Sequence, residues 1–422
     1  MKKFRRTIEA SLFLSPILIG FFAVNRLPSE QPEAVLLFTG DIRGYLAPCG
    51  CAKPQIGGVK RLASIVRALI KNPNTYYVDI GNWTKAENRQ DQLKAEALAE
   101  IFADLPATVL NVGSYDARLG ADYLRALSET TGGAFFSSNF QKEGALPQEI
   151  GKKAGTLFIQ GFMPQAEADS LGSEGKKIEE AIRASETKGP RYVVLFAGSQ
   201  KEAEALAKEH PQIGLILYLQ KGDPPEKPLK IGSTILVGTP DRMRYLGRIE
   251  LVNGEWTNLR FIELSAEVQD DKIASRIYDS YLQRVSEEKL LEQLPRKSGS
   301  AKYVGSNKCA TCHVNAYREW KKSKHADALP TLEKTKNDRD PECVGCHVVG
   351  LDDISGFRSK KETPHLAGVG CENCHGPASA HIARPTAPYG KAGEESCLTC
   401  HIPDHSPGFD FKTYWEKIKH GM

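Results

Sequence analysis

The chain has 422 residues, an apolar content of 41% and a formal charge of +4 at pH 7. This length allows two or three domains, and the apolar content is ordinary for a folded soluble protein. A charge this small, without a run of basic residues, argues against a nucleic-acid partner.

The first 30 residues have the pattern of an export signal. Four basic residues between positions 2 and 6 precede an apolar run from Ala10 to Val24. Such a run is short for a membrane span, and no clear small-residue cleavage site follows it. A cleaved signal peptide and a retained N-terminal anchor are therefore both open. Either one predicts that the rest of the chain lies in the periplasm or at the cell exterior, in the second case anchored to the inner membrane.

Residues 34–265 alternate short apolar runs with amphipathic stretches. The strand-like runs are AVLLFTG, TYYVDIG, TVLNVG, AFFSSNF, YVVLFAG, IGLILYL and STILVG. The helix-like stretches between them are GVKRLASIVRALIK, LKAEALAEIFADL and KEAEALAKEH. This alternation predicts an α/β domain with helices packed on a sheet, and Asn253-Gly254 predicts a hairpin near its end. Residues 266–301 are expected to form a polar amphipathic helix and a linker.

The composition changes in residues 302–422, which are rich in Cys, His, Gly and Pro. A segment so poor in long apolar periods needs covalent or metal-centred staples to fold. It contains CATCH (309–313), CVGCH (343–347), CENCH (371–375) and CLTCH (397–401). Each has the C-x-x-C-H pattern of c-type haem attachment, in which two thiols bind one porphyrin and the adjacent histidine binds its iron. Zinc also binds paired C-x-x-C motifs, but zinc does not require a histidine after every second cysteine. Four covalently bound haem c groups are therefore predicted.

The motifs define which residues would hold these groups. The predicted attachment residues are Cys309, Cys312, Cys343, Cys346, Cys371, Cys374, Cys397 and Cys400. The predicted proximal iron ligands are His313, His347, His375 and His401, and the candidates for the distal faces are His325, His365, His381, His405 and His420.

Spacing restricts how the histidines can pair. If the residues between His313 and His325 are helical, the two are about 18 Å apart along the axis and cannot bind one iron. His401 and His405 are too close in sequence to lie easily on opposite faces of one ring. Distal ligands are therefore expected to be exchanged between motifs, and five candidates for four irons leave at least one histidine spare.

Three C-terminal segments resemble the tetrahaem cytochrome c554 family over residues 303–421. They are YVGSNKCATCHVNAYREWKKSKHADAL, PHLAGVGCENCHGPASAH and CLTCHIPDHSPGFDFKTYWEKIKHG. The resemblance implies a mainly helical, loop-rich electron carrier with closely stacked haems. Most of its irons would be bound by two histidines and one would be five-coordinate. The resemblance does not indicate which of the four motifs would hold the five-coordinate iron.

The segment FTGDIRGYLAPCGC, followed by YYVDIGN, NVGSYDARLG and RYLGRIEL, resembles the calcineurin-like metallophosphatases and the periplasmic 5′-nucleotidases among them. The resemblance implies a site for two metal ions, but several of the implied ligands are replaced. Asp41 matches, whereas Arg43, Asn82, Ser114, Tyr115 and Gln220 stand at positions of implied metal ligands. His210 is the single histidine of residues 1–300. Metal-dependent hydrolysis is therefore not expected. Two interpretations stay open, namely ordinary turn and packing roles or a remodelled anion pocket with Arg43 and Lys60.

Cys49 and Cys51 stand apart from the eight motif cysteines. In an oxidising compartment an isolated pair usually forms a disulfide, but a C-x-C bridge is strained and easily reduced. It also closes almost no loop, so it contributes little stability. A candidate redox pair or soft-metal site, a static disulfide and packing thiols are the alternatives.

The function predicted from the sequence is electron transfer by an exported tetrahaem c-type cytochrome. Its α/β domain would serve for docking or hold a Cys49/Cys51 redox site. One alternative is a multihaem oxidoreductase acting at an open haem iron or at the thiol pair. The other is a non-catalytic binding subunit of a respiratory complex. The expected partners are redox donor and acceptor proteins, with membrane association through the N-terminal segment as an alternative and no nucleic acid.

Overall fold

Two six-stranded sheets form the framework of the N-terminal part, which we define as residues 32–301. The computed structural model describes residues 31–48, 55–106, 108–386, 389–403, 405–406 and 408–420. The strands are β1 (Ala34–Thr39), β2 (Thr75–Asp79), β3 (Thr108–Asn111), β4 (Phe135–Phe136), β5 (Lys152–Ala154), β6 (Leu157–Phe162), β7 (Gly189–Phe196), β8 (Ile213–Gln220), β9 (Leu229–Ile231), β10 (Thr234–Pro240), β11 (Tyr245–Val252) and β12 (Glu255–Glu263). The sheet orders are β12-β11-β1-β2-β3-β4 and β5-β6-β7-β8-β10-β9.

The centre of each sheet is parallel and its edges are antiparallel. In the first sheet β1 to β4 run parallel, and β11 pairs with β1 and β12 in the antiparallel sense. In the second sheet β6, β7, β8 and β10 run parallel, while β5 and β9 are antiparallel edges. The carboxyl ends of the central strands therefore meet at one edge of each sheet, where α/β proteins usually place their sites.

Alternating side chains in β7 contribute to two separate cores. Val193 and Leu195 belong to the core shared with the first sheet. Tyr192, Val194 and Phe196 belong to the core beneath the helices Ile178–Arg183 and Gln200–Glu209. Successive side chains of a strand point to opposite faces, so a strand buried on both sides reads as a continuous apolar run.

The described residues of the N-terminal part form eight helices. They are α1 (Val59–Leu69), α2 (Arg89–Ala103), α3 (Ser114–Ala117), α4 (Ala121–Thr130), α5 (Gln165–Ser170), α6 (Ile178–Arg183), α7 (Gln200–Glu209) and α8 (Lys272–Glu287). The predicted helical stretch LKAEALAEIFADL begins four residues after the first residue of α2. The earlier start follows from Asn88, whose side chain accepts a hydrogen bond from Asp91 N as an N-cap.

The predicted α/β class is confirmed, and each of the seven predicted apolar runs contains a strand. The hairpin at Asn253-Gly254 is also present, with φ values of 51° and 74° that suit a two-residue turn. The sequence interpretation missed β5, β6 and β9. β5 and β9 are short antiparallel edge strands, which carry little hydrophobic pattern.

Asn111 at the end of β3 connects the two sheets. Its buried Nδ2 donates to the carbonyl oxygens of Ile80 at 2.9 Å, in the first sheet's layer, and Phe162 at 3.1 Å, in the second. A buried amide that bonds to both layers helps to fix their relative position, because a lost bond would leave part of its hydrogen-bonding capacity unused away from water.

The C-terminal part, which we define as residues 302–420, consists of short helices and loops. Its helices are α9 (Ser306–Cys309), α10 (Val314–Lys322), α11 (Ala328–Lys334), α12 (Pro341–Val344), a 3₁₀ turn (Pro364–Leu366), α13 (Cys371–His375), α14 (Ser379–Ala383), α15 (Glu394–Leu398) and α16 (Phe411–Trp415). The predicted helical, loop-rich class is confirmed. A small apolar core includes Val344, Val348 and Leu366, and Leu291 from the segment after α8 packs into it.

The two parts lie in one compact unit, residues 32–422. The predicted linker is bonded to the C-terminal part: Lys297 N donates to Asp352 O at 2.7 Å, and Arg296 donates to Phe357 O at 2.8 Å. Among the described residues no helix is long and apolar enough to cross a membrane. The predicted export signal, residues 1–30, lies outside the described residues.

Candidate functional site

One helical turn brings the two cysteines of each motif onto the same side. In the first motif, His313 N donates to Cys309 O at 2.8 Å, and the fourth motif repeats this bond between His401 and Cys397. Residues three apart on a helical turn are neighbours. In these two motifs both cysteines and the following histidine therefore lie within about one helical turn, as attachment to one porphyrin requires.

Three of the four predicted proximal histidines are oriented by a hydrogen bond at Nδ1. His347 Nδ1 lies 2.7 Å from Ala328 O, and His375 Nδ1 lies 2.8 Å from Gly390 O. His401 Nδ1 lies 3.2 Å from the Ser406 hydroxyl. A bond at one ring nitrogen fixes the ring and leaves Nε2 for a metal, which is the usual arrangement around metal-binding histidines.

Three histidine pairs join different parts of the C-terminal sequence. The ring centres of His313 and His381 are 6.2 Å apart, and so are those of His325 and His401. The ring centres of His375 and His420 are 6.0 Å apart. In each pair one partner is a motif histidine and the other comes from a distant segment.

These separations match the span of a metal ion held between two imidazoles. A metal–histidine bond is about 2 Å and the nitrogen lies about 1 Å from its ring centre, so two such ligands have centres about 6 Å apart. In the part of the chain that the structure describes, the buried Nδ1 of His381 has no hydrogen-bond partner. The residues present therefore fit a six-coordinate haem iron at three of the four motifs.

The remaining candidate histidines have different surroundings. His365 is exposed and lies beside Gly305, where a side chain would clash with its ring. His405 faces the N-terminal part, with its ring centre 6.0 Å from that of Tyr45. His347 is the predicted proximal histidine of the second motif, and its Nδ1 has the bond to Ala328 O described above.

Cysteine contacts show which motifs are neighbours. The Cys309 thiol is hydrogen-bonded to Cys371. The Cys346 thiol is likewise hydrogen-bonded to Cys400. The first motif thus lies beside the third, and the second beside the fourth.

The carboxyl edge of the first sheet carries the residues of the implied phosphatase site. Asp41 is buried, and it pairs with Arg43 at 2.8 Å and accepts from Asn82 Nδ2 at 3.3 Å. Arg43 also lies 5.7 Å from the centre of the Tyr115 ring. The three residues Asp41, Arg43 and Asn82 have left-handed backbones with φ between 50° and 62°, a strain that usually persists only where the surroundings enforce it. A guanidinium therefore neutralises the carboxylate that a metal ion would need.

Two buried carboxyls support this edge from below. Asp116 accepts from the backbone nitrogens of Asn82 at 2.8 Å, Trp83 at 2.7 Å and Gly113 at 2.9 Å. Burial raises the pKa of Asp79 to about 7, although bonds from Thr39, Gly81 and Trp83 act in the opposite direction. Both carboxyls are used as acceptors for the turn that holds Asn82.

The other predicted residues of the N-terminal part are spread over several places. Lys60 pairs with Asp270 at 2.9 Å, so its charge is compensated by a carboxylate other than Asp41. Gln220 donates to Asp223 O at 2.8 Å, and His210 ends α7 in a surface cleft. Within the described ranges no cluster of three or more His, Cys, Asp or Glu side chains is arranged to hold a metal ion. Cys49 and Cys51 lie outside the described residues.

The two parts meet at the second motif, and sequence reasoning missed the residues that make this contact. Glu342 pairs with Lys94 of α2 at 2.6 Å and with Lys85 at 2.7 Å. Asp340 accepts from Gln90 of α2 at 2.6 Å and from Tyr281 of α8 at 2.9 Å. The acidic residues directly before CVGCH were the available signal, but nothing local showed what they would bond.

Comparison with known proteins covers both parts. Residues 308–376 match the family model described as "Cytochrome c554 and c-prime". Cytochrome c-554 of Nitrosomonas europaea is 37% identical over 140 residues, which are 25% of this chain and 60% of that protein. The C-type polyheme cytochrome OmcB of Geobacter sulfurreducens is 33% identical over 88 residues, covering 20% of this chain and 12% of that protein. The chain thus spans 60% or less of the length of these relatives.

Solved structures similar to the chain include two hydrolases. The Thermus thermophilus sulfate thiohydrolase SoxB has a TM-score of 0.48 and 17% identity, with 61% of each chain covered. A putative 5′-nucleotidase from Staphylococcus aureus has a TM-score of 0.49 and 12% identity, covering 83% of this chain and 72% of that one.

Proposed function

We propose, from the match of residues 308–376 to the cytochrome c554 family model, that the protein is an exported electron-transfer protein carrying four covalently bound haem c groups. The observation that carries this proposal is the set of three cross-segment histidine pairs with ring centres 6.0 to 6.2 Å apart. Four C-x-x-C-H motifs supply the attachment residues. When bound, each haem iron would supply one-electron exchange.

The chain's own residues have three roles in this function. The eight motif cysteines hold the groups, and the paired histidines fix their orientation. The neighbouring positions of the first and third motifs, and of the second and fourth, bring the attachment points of different haems together. A segment with so small an apolar core would be stapled by these bonds.

Mass spectrometry under denaturing conditions tests the number of haems. The chain should carry four haem masses when expressed in a host with full cytochrome maturation. Replacing His375 with Ala should change one low-spin signal without releasing the porphyrin, since the thioether bonds remain. Fewer than four attached haems would contradict the proposal.

The N-terminal part is proposed to contribute a redox pair at Cys49 and Cys51. Its support is Tyr45, four residues before Cys49, whose ring centre lies 6.0 Å from that of His405 in the C-terminal part. Four residues of fully extended chain span at most about 14 Å, so covalent geometry permits the pair to act on the haem-binding part.

Limited reduction of the holoprotein tests the pair. Thiol labelling at Cys49 and Cys51 should appear as the haem absorbance changes, and Cys51→Ser should abolish the correlation. Equal labelling in the fully oxidised and fully reduced protein would leave a static role, with the N-terminal part serving for docking.

The location and partners follow from the same chemistry. Covalent haem attachment to c-type cytochromes takes place after export, so we propose the periplasm or the cell exterior, with redox donor and acceptor proteins as partners. Fractionation of cells should recover the haem-stained protein outside the cytoplasm. Recovery in the membrane fraction after a salt wash would favour a retained N-terminal anchor.

A further inference from the structure

The second motif begins in a charged contact with the N-terminal part. Lys94 of α2 has a side chain only 4% exposed, and its Nζ lies 2.6 Å from Glu342. Lys85, 40% exposed, bonds the other oxygen of Glu342 at 2.7 Å. Glu342 directly precedes Cys343, so these charges lie next to a predicted point of haem attachment.

Further hydrogen bonds hold the same motif in place. Asp340 caps α12 by accepting from Glu342 N at 3.0 Å, and it also accepts from Gln90 and Tyr281. The motif is therefore fixed against α2 and α8 rather than exposed on a loop.

Both members of the Lys94–Glu342 pair are ionised at neutral pH. Burial acts to lower the pKa of Lys94, but the negative charges of Glu342, Asp340 and Asp91 raise it by more than burial lowers it. The pKa of Lys94 therefore lies above its ordinary value. Burial acts to raise the pKa of Glu342, but Lys94 and Lys85 lower it below its ordinary value. A fixed positive and a fixed negative charge thus stand beside the motif, where solvent screens them less than at the surface.

We infer that the N-terminal part tunes the reduction potential of the haem attached at Cys343 and Cys346, with Lys94 and Glu342 as positioning residues of opposite effect. Reduction adds an electron to the iron. A nearby positive charge favours the reduced form and a nearby negative charge disfavours it. The inference rests on the proposed haem attachment at this motif.

Opposite substitutions separate this electrostatic role from a structural one. Lys94→Met should shift one of the four midpoint potentials downward, and Glu342→Gln should shift the same component upward. The double variant should return it close to its original value. Loosening of the contact would instead move both single variants in the same direction.

Spectroelectrochemical titration of the full-length holoprotein measures these shifts. The component is assigned by its displacement in a His347→Ala variant. Lys208→Met and Glu209→Gln make the same chemical changes on exposed positions of α7 and should leave all four potentials unchanged.

Mass spectrometry of each variant makes the outcomes distinguishable. If the protein without substitutions carries no haem on Cys343 and Cys346, the proposed function fails at this motif. If that haem is present and the two variants do not shift it in opposite directions, the inference alone is overturned.

Discussion

Replacing Asp340 with Ala should destabilise the protein more than the same replacement of any exposed acidic residue nearby. Asp340 is 5% exposed and accepts three hydrogen bonds, from Gln90 Nε2, the Tyr281 hydroxyl and Glu342 N. The substitution removes the N-cap of α12, a loss of about 1 kcal/mol. It also leaves the Gln90 amide and the Tyr281 hydroxyl buried without this acceptor, at about 1 kcal/mol or more each.

Part of this cost is recovered because Gln90 Nε2 also donates to the Tyr281 oxygen at 3.0 Å. We therefore expect a loss of about 2 to 3 kcal/mol in the free energy of unfolding. Urea denaturation of the holoprotein, followed by far-ultraviolet circular dichroism, measures it. Asp340→Asn keeps one acceptor oxygen and should lie between Asp340→Ala and the unmodified protein.

Asp338 provides the matched control. Its side chain is 33% exposed and lies 3.9 Å from Arg339, so Asp338→Ala should cost less than about 0.5 kcal/mol. If Asp340→Ala falls within about 1 kcal/mol of this control, the buried contact between the two parts does not stabilise the fold as reasoned.

Three further predictions concern the N-terminal part. Gly113→Ala should destabilise by about 2 kcal/mol or more, because the added Cβ would lie 2.2 Å from Asn82 Oδ1, whereas Gly393→Ala meets nothing within 4 Å; equal urea midpoints would contradict this. Burial raises the pKa of Asp79 from 3.8 to about 7. The stability that the protonated carboxyl contributes should therefore be fully present below pH 3.8 and should be lost as pH rises through about 7. That loss is on the order of 4 kcal/mol, and Asp79→Asn should flatten this part of the unfolding profile; an unchanged slope would refute the assignment. Finally, the holoprotein with manganese or zinc should release no phosphate from 5′-AMP, because Arg43 pairs with Asp41, and metal-dependent release lost in Asp41→Ala would show a working hydrolase.

The sequence alone determined the features whose chemistry is local. A C-x-x-C-H motif fits within one helical turn, so the eight cysteines and the four adjacent histidines could be identified without tertiary structure. The α/β class followed from the alternation of short apolar runs with amphipathic stretches. The hairpin at Asn253-Gly254 followed from the φ values that this dipeptide permits. The short edge strands β5 and β9 escaped prediction because they have too few residues to show a pattern.

Only the tertiary structure decided which distant groups come together. The partners of His313, His375 and His401 lie tens of residues away, and spacing excluded some pairs without selecting the others. The contact of Asp340 and Glu342 with α2 joins positions about 250 residues apart. In the sequence, acidic residues at the start of a helix look like ordinary N-caps. Their contact with α2 arises because the buried Lys94 and the buried Gln90 need charged and polar partners.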